Sequence, residues 1–409
     1  MVECRHGSMR ALAISDTHLG AWTGEDLLSD ERFLARLAPE LEDIDELIVL
    51  GDLFDLLFGS IEDALTAADG LFALIRERMQ GRRLVFLAGN HDHHFVVRRA
   101  ESARMLGAGD DRTGEEDLLR QLLLTRLEGV EVDLRYPTYA VDDVLLTHGH
   151  YLDPHARLAG PIGSRMLTRA LWAIAAGGSE EPRTEADYES VIGLLTEVLY
   201  AIAQVPHGTT AQRRVFDSLN RLGAMAKDAG RPIRAVEHSV ARLVGGAGQR
   251  VSQTARAAVS PEDFRRALAD EHERLQREAR GPSVQGFDVA RTINPGDPRG
   301  NALEAFAKVA DNLGWSRHYQ KIVFAHTHQP LADVRSRSGS PVRYWNTGSW
   351  IYEPELASRD AYIDYLQRGW PGTAILIDTD EPAPVLRELL ADLNPLRGGE
   401  ISGSPAARL

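Results

Sequence analysis

Five short runs of metal-capable side chains each begin where an apolar run ends, and this recurrence limits the fold more than any other feature of the chain. Leu12 to Ile14 lead into Asp16 and His18; Leu47 to Leu50 lead into Asp52 and Asp55. Leu84 to Leu87 lead into Asn90, His91 and Asp92, Val144 to Leu146 into His148 and His150, and Ile322 to Phe324 into His326 and His328. Apolar runs this short read as buried strands. Polar groups that start where such strands end collect at one rim of a sheet, which is where open α/β sheets bind ligands.

The segments between the first three runs, Asp30 to Ala38 and Ile61 to Arg78, have helical apolar spacing, which predicts a β-α-β-α-β start. Tyr139 to Val141 and Val144 to Thr147 flank the polar pair Asp142-Asp143, the pattern of a hairpin. Leu331 to Val334, Val342 to Trp345 and Thr373 to Ile377 read as further strands after the last histidine pair. Between His150 and His318 the pattern changes to long Ala/Leu/Arg segments of helical period: Leu167 to Ala176, Tyr188 to Ala203, Ala211 to Asp228, Pro261 to Arg280 and Asn301 to Leu313. We therefore expect one α/β domain in two parts, 1–150 and 319–380, a helical insertion at 151–318 and a peripheral tail at 381–409. The insertion leaves and re-enters beside the His148 and His326 loops, as a lid or an oligomerisation element would.

Composition narrows the partners. At 43% hydrophobic and 26% charged residues the chain is an ordinary globular one. A net charge of −14 disfavours nucleic acid as a partner, because that affinity comes largely from Lys and Arg neutralising phosphates. Lysine occurs at Lys227, Lys308 and Lys321, so arginine carries nearly all the positive charge and its abundance is no sign of phosphate recognition. Cys4 is the only cysteine, which excludes a disulfide framework and a thiolate cluster and fits a reducing cytoplasm. No apolar stretch approaches the ~18 residues of a membrane span.

Taken in order, Asp16-x-His18, Gly51-Asp52-x-x-Asp55, Gly89-Asn90-His91-Asp92, His148 and His326-x-His328 resemble the motif series of the calcineurin-like metallophosphoesterase superfamily. Ala325 stands where that series usually has glycine. The resemblance implies a four-layer αββα sandwich and a phosphoester substrate, hydrolysed by in-line attack of a hydroxide that bridges two divalent metals. Manganese is the first expectation for those metals, and iron, zinc, nickel and magnesium accept similar ligands. It implies that Asp16, His18 and His328 hold one ion, that Asn90, His148 and His326 hold the other, and that Asp52 bridges them. His91, next to a ligand, is then the group that donates a proton to the leaving oxygen or stabilises its charge. Asp55, Asp92, His150 and Asn346, the last in Asn346-Thr347-Gly348-Ser349-Trp350, are expected to orient ligands or touch substrate. His93, His94 and His155 crowd the same loops and read as solvated or structural.

In wording the motifs are nearest to the bacterial branch that includes UDP-2,3-diacylglucosamine pyrophosphohydrolases. His91 stands where that branch has arginine, and the insertion is far longer than that branch's lid. A mono-, di- or pyrophosphoester substrate is therefore expected. The competing readings are a catalytically silent scaffold of the same fold and a nuclease.

Overall fold

The computed structural model describes residues 8–21, 26–57, 59–96, 118–155, 182–204, 298–352 and 359–397. The first strands are β1 (Arg10–Ile14), β2 (Glu46–Leu50), β3 (Arg83–Leu87), β4 (Glu131–Arg135), β5 (Thr138–Val141) and β6 (Val144–Thr147). After the long connection come β7 (Lys321–Phe324), β8 (Leu331–Arg335), β9 (Arg343–Asn346), β10 (Thr373–Asp378) and β11 (Val385–Glu388). They form two sheets, ordered β11-β10-β1-β2-β3-β4 and β5-β6-β7-β9-β8.

Register is what builds the rim. β1, β2 and β3 run parallel, with Ile14 opposite Val49 and Leu50 opposite Leu87, so the residues that follow each strand emerge at the same edge. In the second sheet β6 and β7 are parallel neighbours, Leu146 opposite Val323, and β7 and β9 are parallel with Phe324 opposite Asn346. The loops after β6, β7 and β9 therefore share an edge too.

The helices are α1 (Glu31–Leu37), α2 (Ile61–Arg78), α3 (Leu118–Arg126), α4 (Glu185–Ala203), α5 (Pro298–Asn312), α6 (Trp315–His318) and α7 (Arg359–Arg368). Ser60 caps α2 by accepting from the Asp63 N–H, and Ala64, Ala68, Leu71, Phe72 and Ile75 form its buried stripe. Alternation along each strand then assigns the layers. Leu12, Ile14, Leu47, Val49, Leu84 and Phe86 pack outward against α1 and α2, in one cluster with Phe33, Leu34, Ala68 and Phe72. Their neighbours Ala11, Ala13, Ile48, Leu50, Val85 and Leu87 face the other sheet and meet Leu146, Val323, Ala325 and Trp345. On the far side Leu145, Ile322, Phe324 and Tyr344 pack against Tyr188 and Ile192 of α4 and Leu303, Phe306 and Val309 of α5. The result is the expected αββα sandwich.

The outer layer over the second sheet thus comes from the segment read as an insertion. Two parallel neighbours cannot be joined by a hairpin and need a crossover over one face, and β6 and β7 are such a pair. Phe306 is fully buried and stacks on Phe324, ring centroids 4.2 Å apart at 10°. Tyr188 to Ala203 and Asn301 to Leu313 appear as α4 and α5 with small boundary shifts. The stretches Leu167 to Ala176, Ala211 to Asp228 and Pro261 to Arg280, and with them the choice between lid and oligomerisation element, lie outside the described residues. The tail also differs from its reading. β11 pairs antiparallel with β10 as an edge strand, and Leu390, fully buried, accepts from Trp370 Nε1 at 2.7 Å through its carbonyl. Neither β11 nor β4 was expected, because both are edge strands whose sequences mix charges into a short apolar pattern.

Candidate metal centre

The rim loops hold their side chains in an uncommon backbone geometry. Asp16, His18, Asp52, His326 and His328 have φ of 49°, 46°, 52°, 69° and 54°. That left-handed region costs non-glycine residues of order 1 kcal/mol or more each, and such strain gathers at functional sites. Backbone hydrogen bonds impose it: the amides of Asp16, Thr17 and His18 donate to the carbonyls of Gly51, Asp52 and Asp52 at 3.1, 2.9 and 3.0 Å, so the loops after β1 and β2 zip together. Small residues make the approach fit. A side-chain carbon at Gly51 would fall on the His148 imidazole, and one at Gly89 would fall on the Asp52 carboxylate.

Two groups of donors converge. Asp16, His18 and His328 form one, with His18 Nε2 and His328 Nε2 3.1 Å apart and His328 Nε2 3.3 Å from Asp16 Oδ1. Asp52, His148 and His326 form the other, with His148 Nε2 3.2 Å from Asp52 Oδ2 and 3.1 Å from Asn90 Oδ1. Asp52 Oδ2 also lies 3.9 Å from His18 Nε2, so this one carboxylate oxygen stands between the groups. Its other oxygen accepts from the His91 amide at 2.8 Å.

The donor set fits divalent cations. Imidazole nitrogens facing each other at 3.1 Å repel unless a proton or cation lies between them. Asp16 Oδ1, in a fully enclosed carboxylate, has no well-aligned hydrogen bond and faces His328 Nε2 at 3.3 Å. Burial opposes charge on both aspartates, yet His328 and His148 hold Asp16 below the usual carboxylate range, and His148 and His91 hold Asp52 well below it. Both are therefore anions. His148 Nδ1 faces the Leu50 carbonyl at 2.9 Å, which leaves Nε2 as the nitrogen turned to the site.

His91 forms a further group with Asp55 and His18, to which its ring is edge-on with centroids 4.4 Å apart. Its Nδ1 meets Asp55 Oδ1 at 2.8 Å. Burial disfavours a charged ring here, but Asp55 and Asp52 outweigh burial and raise its pKa to about 9. Its contact with Asp55 is that of a ring placed to hold a proton. On His18 burial and repulsion from His91 outweigh the pull of Asp52 and Asp55, and its pKa falls to about 4.

The remaining candidates mostly hold loops. Asp92 Oδ1 accepts from the Gly89 amide at 2.6 Å and Oδ2 from the Leu53 amide at 2.9 Å, which ties the second and third motifs together. Asn346 Nδ2 donates to the Ala325 carbonyl at 2.9 Å and to Thr327 Oγ1 at 3.1 Å, while its Oδ1 accepts from the Gly348 amide at 2.9 Å. It fastens the His326 loop. His150 is buried, with Nε2 3.3 Å from the Tyr136 hydroxyl. Sequence reasoning missed Asp153, whose Oδ1 lies 2.9 Å from His326 Nε2, and Glu189 of α4, which reaches His93. No motif marks either one; Asp153 lies in the turn that follows His150, and Glu189 reaches the site because α4 packs there.

Asp, Asn and His side chains thus converge at one rim of the sandwich as a donor set that could hold metal ions. The family model for calcineurin-like phosphoesterases matches residues 9–178, the part of the chain that carries the first four of the five motifs. No curated protein matches the chain. Among solved structures, a cold-active protein-tyrosine phosphatase of a psychrophilic Shewanella species aligns at 12% identity over 94% of this chain and 78% of that one. Its TM-score of 0.28 is too low to bear on the site. Among the described residues no helix is long and apolar enough to cross a membrane.

Proposed function

We propose that the rim is a dinuclear centre at which a mono-, di- or pyrophosphoester is hydrolysed, with Asp16, His18 and His328 around one divalent ion, Asn90, His148 and His326 around the other, and Asp52 shared. The observation that carries this reading is Asp52 Oδ2, 3.2 Å from His148 Nε2 and 3.9 Å from His18 Nε2, an oxygen placed between two donor groups. Bound divalent metals supply Lewis acidity toward phosphate oxygens and lower the pKa of water toward neutrality. Manganese, with oxygen and imidazole donors and no thiolate, is the first metal to test.

The chain's own residues do the rest. His91, charged and held by Asp55, donates its proton to the departing oxygen, and Asp55 keeps the ring turned to the cleft. Asp92 and Asn346 keep the loops from spreading by the hydrogen bonds they make to backbone amides and carbonyls. The reading includes a cytoplasmic site of action.

The test is hydrolysis of p-nitrophenyl phosphate and of bis(p-nitrophenyl) phosphate by protein stripped with chelator and reloaded with manganese. Activity that returns with metal on either ester supports the proposal, and the ratio of the two rates assigns the ester class. A fully reloaded protein inert toward both, and toward a pyrophosphate diester, contradicts it.

A further inference from the structure

Beside the pair, but using none of its proposed ligands, another group of donors converges: His93 on the loop after β3, His150 on the loop after β6 and Glu189 on α4, with one ligand atom from each all within 4.8 Å of one another. From this convergence we propose that His93, His150 and Glu189 form a third site for a divalent transition metal of the zinc class.

The hydrogen bonds around the three side chains already have the form of a metal's supporting shell. Thr196 Oγ1 lies 3.0 Å from the Ile192 carbonyl and 3.1 Å from that of Gly193, which take its one proton. Toward His93 Nδ1, at 3.2 Å, the hydroxyl then accepts. The other ring nitrogen, Nε2, faces Glu189 Oε2 at 2.9 Å. A divalent ion held between this nitrogen and this oxygen would take both as ligands. Both tyrosine hydroxyls nearby, Tyr136 and Tyr151, donate to the other oxygen, Oε1, so Glu189 is oriented with Oε2 left over for the site. His150 is buried and its Nδ1 has no hydrogen-bond partner; its Nε2 lies 3.3 Å from Tyr136. Two imidazoles and one carboxylate are the protein ligands of many three-ligand zinc sites, with further positions open to water or substrate.

The neighbouring pair on the same loop is a built-in contrast. His94 Nδ1 meets Glu197 Oε1 at 2.7 Å and stacks on Tyr200 at 3.6 Å, but it belongs to no such group of three donors. It is a hydrogen-bonded pair that docks α4, and it should bind no metal. A third ion between α4 and two rim loops would join the crossover to the centre. The ring of His150 lies 5.3 Å from that of His148 and 6.4 Å from that of His326, near enough for the ion to engage a further oxygen of a large phosphoester.

The experiment is anomalous diffraction at the zinc edge from crystals of the full chain grown with zinc chloride, alongside elemental analysis of the dialysed protein. A peak among His93, His150 and Glu189 is expected, in addition to those at the pair, with about one metal equivalent fewer in Glu189→Gln and no change in Glu197→Gln. Peaks at the pair with none at His93 overturn the third site and leave the proposed function standing. A peak at His93 with none at the pair overturns the proposed function and leaves the third site. An equal metal count in wild type and a folded Glu189→Gln chain also overturns it. Should Glu189→Gln fail to fold, the wild-type map decides alone.

Discussion

The two sheets reach the rim by different means. The first brings β1, β2 and β3 to it as consecutive parallel strands with short helical links, so Asp16, Asp52 and Asn90 arrive through local connections. The second brings β6 and β7, parallel neighbours separated by the whole crossover, so His148 and His326 meet only if α4 and α5 close over the outer face. One half of the centre depends on turn geometry, and the other on the burial of Tyr188, Ile192, Phe306 and Val309. Damage to the first half should therefore cost chemistry, and damage to the second should cost stability first.

The largest effect is expected for Asp52→Asn, which removes the shared anion. Its activity should fall by more than the ~10²–10⁴-fold typical of a lost general acid or base, with metal affinity falling too, as titration with manganese would record. His91→Asn should lower turnover by ~10²–10⁴-fold with metal content intact. A p-nitrophenyl ester, whose leaving group needs little protonation, should suffer less than an alkyl ester, and equal losses would argue against His91 as the acid. Asp55→Asn acts through His91 and should cost ~10–100-fold, the range for a group that orients a functional one. It should also lower the raised pKa of His91, since Asp55 supplies much of that rise; an NMR titration that finds the pKa unmoved would separate the two residues. On the other half, Phe306→Ala removes a fully buried ring stacked on Phe324 and should lower unfolding free energy by about 3–5 kcal/mol. Denaturant titration would show this, and the surviving folded fraction should turn over normally if α5 is a cover and not a catalytic element.

What could be read from sequence follows the same division. The strands that end in Asp16, Asp52, Asn90, His148 and His326 were legible because buried parallel strands leave continuous apolar runs, and the polar motifs mark where those runs stop. Phe306 and Tyr188 were legible as helical residues but not as the cover of the second sheet, since periodicity reports an apolar face and not what it packs on. Asp153 and Glu189 carry no motif. Asp153 reaches His326 from the turn just after His150, and Glu189 reaches His93 through the packing of α4. The roles of Asp92 and Asn346 were half visible: their positions marked the site, but only the backbone amides and carbonyls they bind identify them as loop fasteners.

The claim on which the account rests, that Asp52 joins two metals, is tested most directly by electron paramagnetic resonance of the manganese-loaded protein. Wild type should give the spectrum of an exchange-coupled pair, and Asp52→Asn should retain only signals of isolated ions. A wild-type chain saturated with manganese that shows isolated ions alone would contradict a shared centre.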